Sequence, residues 1–297
     1  MTIEKNGLEI GFIGAGKVAR ALGCALCKRG YSVSAVSSRS YESALTMASL
    51  IPGCKAYHTP DETARVSSLV FITTPDSSIA TVSASVNWQT GQMVVHTSGA
   101  DSRSVLKTAN NMGALTGVFH PLATIVSNAN APDPFMNITI TIEAEPPLRE
   151  TLEGLAHDLE ADTLLLQEEN RALYHASAVF VSNYVMALAD IAAKLWQEMG
   201  FDRTRSEKAL MPLLKGAVNN LQTVGLPGCL TGPVSRGDTG TIKKHLTSLE
   251  KLEPPLALTY RMLGSYTVDI AKRKGSISPE QAKEMTSILN NKESSYD

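Results

Sequence analysis

Leu8-Glu9-Ile10-Gly11-Phe12-Ile13-Gly14-Ala15-Gly16-Lys17-Val18-Ala19 is the stretch on which the fold turns. It opens as a short apolar run with a single charge, Glu9, and stops at Gly14-Ala15-Gly16. A helical pattern follows, with Val18, Ala19, Leu22, Ala25 and Leu26 as its apolar positions, and Gly30 closes it. Tyr31 to Val36 then alternates like a second strand. Strand, glycine turn, helix and strand together have the size of one βαβ unit, about thirty residues. In that context Gly14-x-Gly16-x-x-Ala19 reads as a dinucleotide fingerprint. Gly14 permits the tight turn, Gly16 lets backbone approach a pyrophosphate, and Ala19 is small enough for close helix–strand packing. The N–H groups from Ala15 through Gly16, Lys17 and Val18, at the positive end of the helix dipole, are expected to hold the phosphates.

The end of the second strand chooses between the two nicotinamide dinucleotides. An NAD site usually places Asp or Glu there to bond the ribose 2′-hydroxyl. This chain has Ser37-Ser38-Arg39-Ser40 instead. A carboxylate would repel a 2′-phosphate, whereas Arg39 offers a charge-assisted fork and Ser37 and Ser38 offer hydroxyl donors. The expected cofactor is therefore NADP(H).

Beyond this unit the alternation continues. Ser40 to Leu50 is helical and Pro52-Gly53 breaks it. Leu69–Thr73, Met93–His96 and Gly117–His120 read as buried strands, and Asn137–Ile142 alternates polar with apolar. Pro147–Leu159 is an amphipathic helix and Thr163–Leu166 a last short strand. This predicts an α/β architecture: a Rossmann domain over residues 1–167, with a mostly parallel, doubly wound sheet. After Gln167 helical periodicity takes over, in Glu169–Met199, Thr204–Val224 and Ala257–Arg273, so residues 168–297 are expected to form an all-helical domain. The polar tail from Asn290 is expected to fray.

Composition narrows the classes. The 297 residues are 43% hydrophobic and 19% charged, which suits a soluble globular protein. A net charge of −2 provides no field for nucleic acid or an anionic membrane. Met1–Leu8 has no apolar core segment, so it does not read as a signal peptide. The longest apolar stretch, Ala176–Ala193, is interrupted by Asn183 and Asp190 and is expected to be a buried helix rather than a membrane span. Four cysteines make no disulfide framework, and a cytoplasmic location is expected. Cys24 and Cys27 fall on one face of the first helix, where packing is the expected role. No metal is expected: the histidines have no compact ligand spacing.

In open α/β sheets, ligands bind beyond the carboxyl ends of the strands. Three strands here end in polar groups: Thr74-Pro75-Asp76, His96-Thr97-Ser98-Gly99 and His120-Pro121. His175 and Ser182, seven apart on one predicted helix, differ by about 20° in direction, with Asn183 beside them. Buried together, such groups need partners, which a ligand in a cleft would provide. A histidine bonded to a core carbonyl, and turn residues bonded to their own backbone, are the alternatives left open.

The chain resembles the β-hydroxyacid and 6-phosphogluconate dehydrogenase superfamily. More closely it resembles a branch of Rossmann-like NADP oxidoreductases with a domain of unknown function at the C-terminus. The similarity rests on Gly14–Ala19, Phe71–Asp76, Val95–Ala100, Phe119–Leu122, Tyr174–Tyr184 and Leu230–Asp238. It implies a 6-phosphogluconate-dehydrogenase-like helical domain that closes the active site and makes a homodimer. It also implies hydride exchange between NADP(H) and a small oxo or hydroxy compound, with a ketopantoate-like acid as one candidate. By the same resemblance Thr74 and Pro75 border the cofactor, and Ser98 and Gly99 border the substrate. His175 becomes the candidate proton donor with His120 as its substitute. Asn183 and Ser182 lie at the substrate, and Arg236 with Asp238 grips an anion. One departure stands out: other superfamily members carry a catalytic Lys four residues before the Asn matched by Asn183, and this chain has Val179 there. That leaves a sensor that binds NADP(H) without turnover, or a deazaflavin-linked reductase, as alternatives.

Overall fold

The computed structural model describes residues 7–125 and 133–290, so the tail from 291 to 297 lies outside the described residues. The first part of the chain runs β1 (Glu9–Ile13), α1 (Lys17–Lys28), β2 (Ser32–Ser37), α2 (Tyr41–Ser49), β3 (Lys55–Tyr57), α3 (Pro60–Arg65), β4 (Leu69–Ile72), α4 (Asp76–Ala84), β5 (Met93–His96), α5 (Lys107–Asn111), β6 (Leu115–Pro121), β7 (Thr139–Glu143), α6 (Leu148–Asp158) and β8 (Asp162–Leu165). Six helices follow: α7 (Arg171–Val181), α8 (Asn183–Glu198), α9 (Arg203–Val224), α10 (Thr239–Leu252), α11 (Pro254–Lys274) and α12 (Pro279–Asn290).

The eight strands form one sheet in the order β3-β2-β1-β4-β5-β6-β7-β8. β1 to β6 are parallel, which is the strand order of doubly wound dinucleotide folds. β7 runs antiparallel to β6, with Phe119 opposite Ile142, and β8 pairs parallel to β7. β8 is exposed along its whole length. The chain order reverses between β1 and β4, which opens a crevice at their carboxyl ends.

Alternation along the strands sends side chains to two cores. On one face Phe12 stacks on Phe71 at 5.3 Å, and Phe71 meets the edge of Phe119 at 5.7 Å. On the other, Ile13, Val70, Ile72 and Val94 pack with Leu106. Local caps fix the short helices. Thr59 and Glu62 form a reciprocal capping box on α3, and Ser40 caps α2 by accepting from the Ser43 N–H. A third core, with Ile242, Leu246, Val268 and Met285, joins α10, α11 and α12.

Two sequence expectations are corrected. The chain divides into compact units at 187/188, not at 167/168. Side chains of segment 168–175 bond to the sheet, as described below, and hold α7 in the first unit. The second correction concerns the long apolar helix. It breaks at Ser182, whose backbone is distorted to φ −115° and ψ −75°. Its apolar side chains are exposed rather than buried: Phe180 is 65% and Val181 77% exposed, as is Leu213 on α9 at 72%. By length and composition alone Glu168–Glu198 could cross a membrane, and 6% of its most apolar window is buried. Apolar content requires a cover but does not say what supplies it.

Candidate functional site

The turn after β1 is fixed by backbone. The Gly14 N–H donates to the Ser37 carbonyl at 2.8 Å, which ties the ends of β1 and β2 together. Gly14 sits at φ +108°, and a Cβ there would stand 2.7 Å from the Thr73 carbonyl carbon. Only glycine fits that conformation and that approach. Gly16 is the N-cap of α1, with no side-chain bond to the helix and no acidic residue in the first turn. The amides at this helix end are left for an outside acceptor.

These residues line a cavity of about 620 Å³ beside the crossover. Gly14, Ala15, Gly16, Ser38, Arg39, Thr74 and Pro75 line it as expected, and no described lining residue carries a carboxylate. Lys17, Val18 and Ser37 do not line it. Ser37 is fully buried and contributes its carbonyl to the turn instead. Ser40, Ser43 and His58 join the lining without having been singled out in the sequence. The His58 ring stacks on Tyr41 at 3.8 Å, a contact across unrelated elements that no spacing reveals. Free amides at one end and a guanidinium among serines at the other fit a dinucleotide carrying a 2′-phosphate.

The next strand ends along the same edge carry the histidines. His96, at the end of β5, is fully buried, and both ring nitrogens are satisfied. Nδ1 accepts from the Ser98 N–H at 3.1 Å, so Nε2 carries the proton and donates to the Ser102 carbonyl at 3.0 Å. Burial pushes its pKa down to about 4. Ser98 is 4% exposed, and its hydroxyl is spent within its own turn on Asp101. This is the turn-residue alternative that the sequence left open for Ser98.

His120, at the end of β6, meets the Tyr174 hydroxyl through Nδ1 at 2.9 Å. Its other nitrogen, Nε2, points over Gly99. A Cβ on Gly99 would lie 2.7 Å from His175 Nδ1 and 2.8 Å from His120 Nε2. The two imidazoles thus converge on one glycine, with ring centroids 6.3 Å apart. Burial pushes His120 down to about 4, with His175, Arg171 and His96 acting in the same direction. His175 Nδ1 is buried without a hydrogen-bond partner among the described residues.

The groups that organise this cluster were missed in the sequence. Arg171, 1% exposed, is paired with Glu143 of β7 through its Nε. Both terminal guanidinium nitrogens are buried without partners among the described residues. Arg171, Tyr174 and His175 stand at i, i+3 and i+4, so one face of α7 carries all three. Glu168 accepts from the Ser102 hydroxyl at 2.6 Å. Partners 28 to 66 residues apart leave no periodic trace in a single chain.

The other expected site residues are placed elsewhere. Ser182 donates to the Ala178 carbonyl and to Asn183 Oδ1, and Asn183 is exposed. Neither makes a hydrogen bond to the histidines among the described residues. In the second unit, Asp238 caps α10 by accepting from the Thr241 N–H at 2.9 Å and the Thr241 hydroxyl at 2.6 Å. Those bonds, from the hydroxyl first, hold its carboxyl below the usual range. Arg236 is exposed, and it forms no ion pair among the described residues. The described residues contain no group of three or more His, Cys, Asp or Glu able to hold a metal ion. Cys24 and Cys27 pack half-buried against the first core.

A mostly parallel sheet with a glycine turn at its crossover defines a Rossmann-like protein, and the sequence comparisons agree. Residues 1–121 match the Rossmann-like domain, and residues 138–267 match a domain of unknown function, DUF2520. The chain is thus a Rossmann-like protein with a C-terminal DUF2520 domain. No curated protein matches it. Among solved structures it is similar to a Bacteroides fragilis protein described as a candidate NADP oxidoreductase. The identity is 25% and the TM-score 0.73, covering 90% of this chain and 100% of that one. A Thermotoga maritima protein is similar at 23% identity and TM-score 0.70, covering 90% and 99%. The 1-pyrroline-5-carboxylate reductase of Streptococcus pyogenes shares the fold at 17% identity and TM-score 0.60, covering 94% and 98%.

Proposed function

We propose that the protein is an NADP-dependent oxidoreductase of a small oxo or hydroxy compound, with a keto acid of the ketopantoate type as the first candidate. The observation that carries the reading is the cavity at the crossover, with the Gly14–Gly16 turn that leads into the uncapped start of α1 at one end and Arg39 among serines at the other. When bound, the reduced nicotinamide supplies hydride, which leaves the product one proton short. The chain's part is to hold the phosphates, to orient the substrate and to deliver that proton. His120 and His175, converging over Gly99, are the groups to do it. The solved relatives include a reductase named for pyrroline carboxylate, so cyclic imines belong beside 2-oxo acids among the substrates tried.

Arg39→Asp should weaken NADPH binding by roughly ten- to a hundredfold, the worth of one charge-assisted bond of about 1.5–3 kcal/mol, and should favour NADH. Fluorescence titration measures both affinities; equal affinity of the unmodified protein for the two would count against the 2′-phosphate reading.

The reaction itself is tested by NADPH oxidation against a panel of 2-oxo acids and cyclic imines. A protein that binds NADPH tightly and turns over none of them is a sensor, the reading that Val179 favours. Arg236 is proposed as a carboxylate fork on a turn held by Asp238. In the same assay Arg236→Lys should raise KM for acids with melting temperature unchanged; the reverse pattern makes the arginine structural. Asn183 and Ser182 remain proposed substrate groups. We read the exposed apolar side chains of α7, α8 and α9 as the face a second copy covers, in a soluble, cytoplasmic homodimer; sedimentation as a monomer at micromolar concentration would overturn that.

A further inference from the structure

The superfamily lysine is absent, and none of the groups chosen from the sequence explains why a tyrosine should be bonded to the far nitrogen of His120. We infer that Tyr174, His120 and Arg171 form a proton relay, in which His120 Nε2 gives its proton to the reduced substrate while Nδ1 takes the phenolic proton of Tyr174. The inference rests on the reductase reading above and concerns the same site.

The geometry supports each link. Tyr174 Oη lies 2.9 Å from His120 Nδ1, and the rings meet edge to face at 5.7 Å. Nε2 points the other way, over Gly99 and toward His175. One nitrogen therefore faces a store, and in the relay the other, over Gly99 at the strand ends, faces the substrate. Arg171 stands one turn before Tyr174 on α7, with two buried guanidinium nitrogens unpaired among the described residues. A phenol in the field of a guanidinium turns its lone pairs toward the cation and its O–H away, here onto Nδ1. The same cation stabilises the phenolate left when that proton has moved. Glu143 fixes Arg171 from β7, so the charge cannot swing out to solvent.

The protons balance. One leaves Nε2 for the substrate atom, one leaves the phenol for Nδ1, and His120 stays neutral throughout. Solvent then protonates Nε2 as Nδ1 returns its proton to the phenolate, which restores both groups. Burial raises the Tyr174 phenol, so the phenolate is a transient base. An alkoxide or an amide anion is more basic still, so the transfer runs downhill. The charged and titratable groups around His120 are Tyr174, His175 and Arg171 on α7, and His96 on β5. None of them supplies an anion that would charge the imidazole. In this scheme His120 is the catalytic residue, and Tyr174 and Arg171 are positioning residues that act through it.

The decisive measurement needs no substrate. Nitrogen-15 NMR of the full-length protein at neutral pH, with the His120 signals assigned by their loss in His120→Gln, should show protonated Nε2 and a hydrogen-bonded, unprotonated Nδ1. A His120 protonated on Nδ1 overturns the relay, whatever the protein reduces. Tyr174→Phe keeps the ring packing and removes the store. It should shift the Nδ1 resonance and lower kcat by about ten- to a hundredfold, with KM and NADPH affinity held. A linear proton inventory in the variant should replace a curved one in the parent. Unchanged kcat in Tyr174→Phe overturns the relay alone, whereas a parent protein inactive on every carbonyl and imine tried overturns the reductase reading and the relay with it.

Discussion

Gly99→Ala is expected to cut turnover by about a hundredfold while NADPH still binds. The added methyl would stand 2.7 Å from His175 Nδ1, 2.8 Å from His120 Nε2 and 2.9 Å from His120 Cε1. Those distances are too short for contact, so both rings must move. His120 is not free to do so cheaply, because Tyr174 holds its opposite nitrogen. A displacement of about 1 Å at a reacting group can cost a hundredfold in rate. The cofactor cavity is lined by other residues, so fluorescence titration with NADPH should be unaltered. Steady-state kinetics with the best substrate of the panel reads the loss. Full turnover in a folded variant would mean that neither imidazole acts at the reacting atoms.

Acid should destabilise the fold through His96 and His120. Both are pushed down to about 4, chiefly by burial, from an unfolded value near 6.5. Between those values the unfolded chain binds the protons that the folded one refuses, so stability rises with pH there. The contribution is present above pH of about 6.5 and is lost as the pH falls toward about 4. It amounts to roughly 3 kcal/mol for each ring. Urea unfolding at pH 7 and at pH 4.5 measures it. His96→Gln, which does not titrate, should lower stability at pH 7 yet shrink the gap between the two conditions. A gap unchanged in both His96→Gln and His120→Gln would place the acid sensitivity elsewhere.

What was legible in the chain was whatever repeats locally. The β1 turn, the missing acid after β2 and the buried strands follow from glycine placement and apolar runs. The short β3 and the helices α3 to α5 were not separable, since a few half-buried residues give no period. The antiparallel β7 has the same alternation as a parallel edge strand, so its direction could not be read. The helix break at Ser182 was invisible because apolar residues continue through it. At the site, His120, His175 and Gly99 were named, while for Ser98 both readings stayed open, because an Asx-like turn and a substrate contact use the same residues. Arg171, Glu143 and Tyr174 owe their roles to contacts across the fold, which a single sequence does not encode as spacing.

The two margins of the sheet are unequally guarded. At one, β3 is three residues long and carries Lys55, which offers little ladder and a charge against pairing. At the other, β8 has no strand on its outer side among the described residues and carries two exposed leucines, Leu164 and Leu165, with Asp162 alone as a deterrent. An incoming strand from a partly unfolded molecule therefore has one template on which to grow, and it is β8. Crowded or heat-stressed solutions should polymerise from that margin, and a lysine placed outward in β8 would make the protein easier to keep in solution without touching its chemistry.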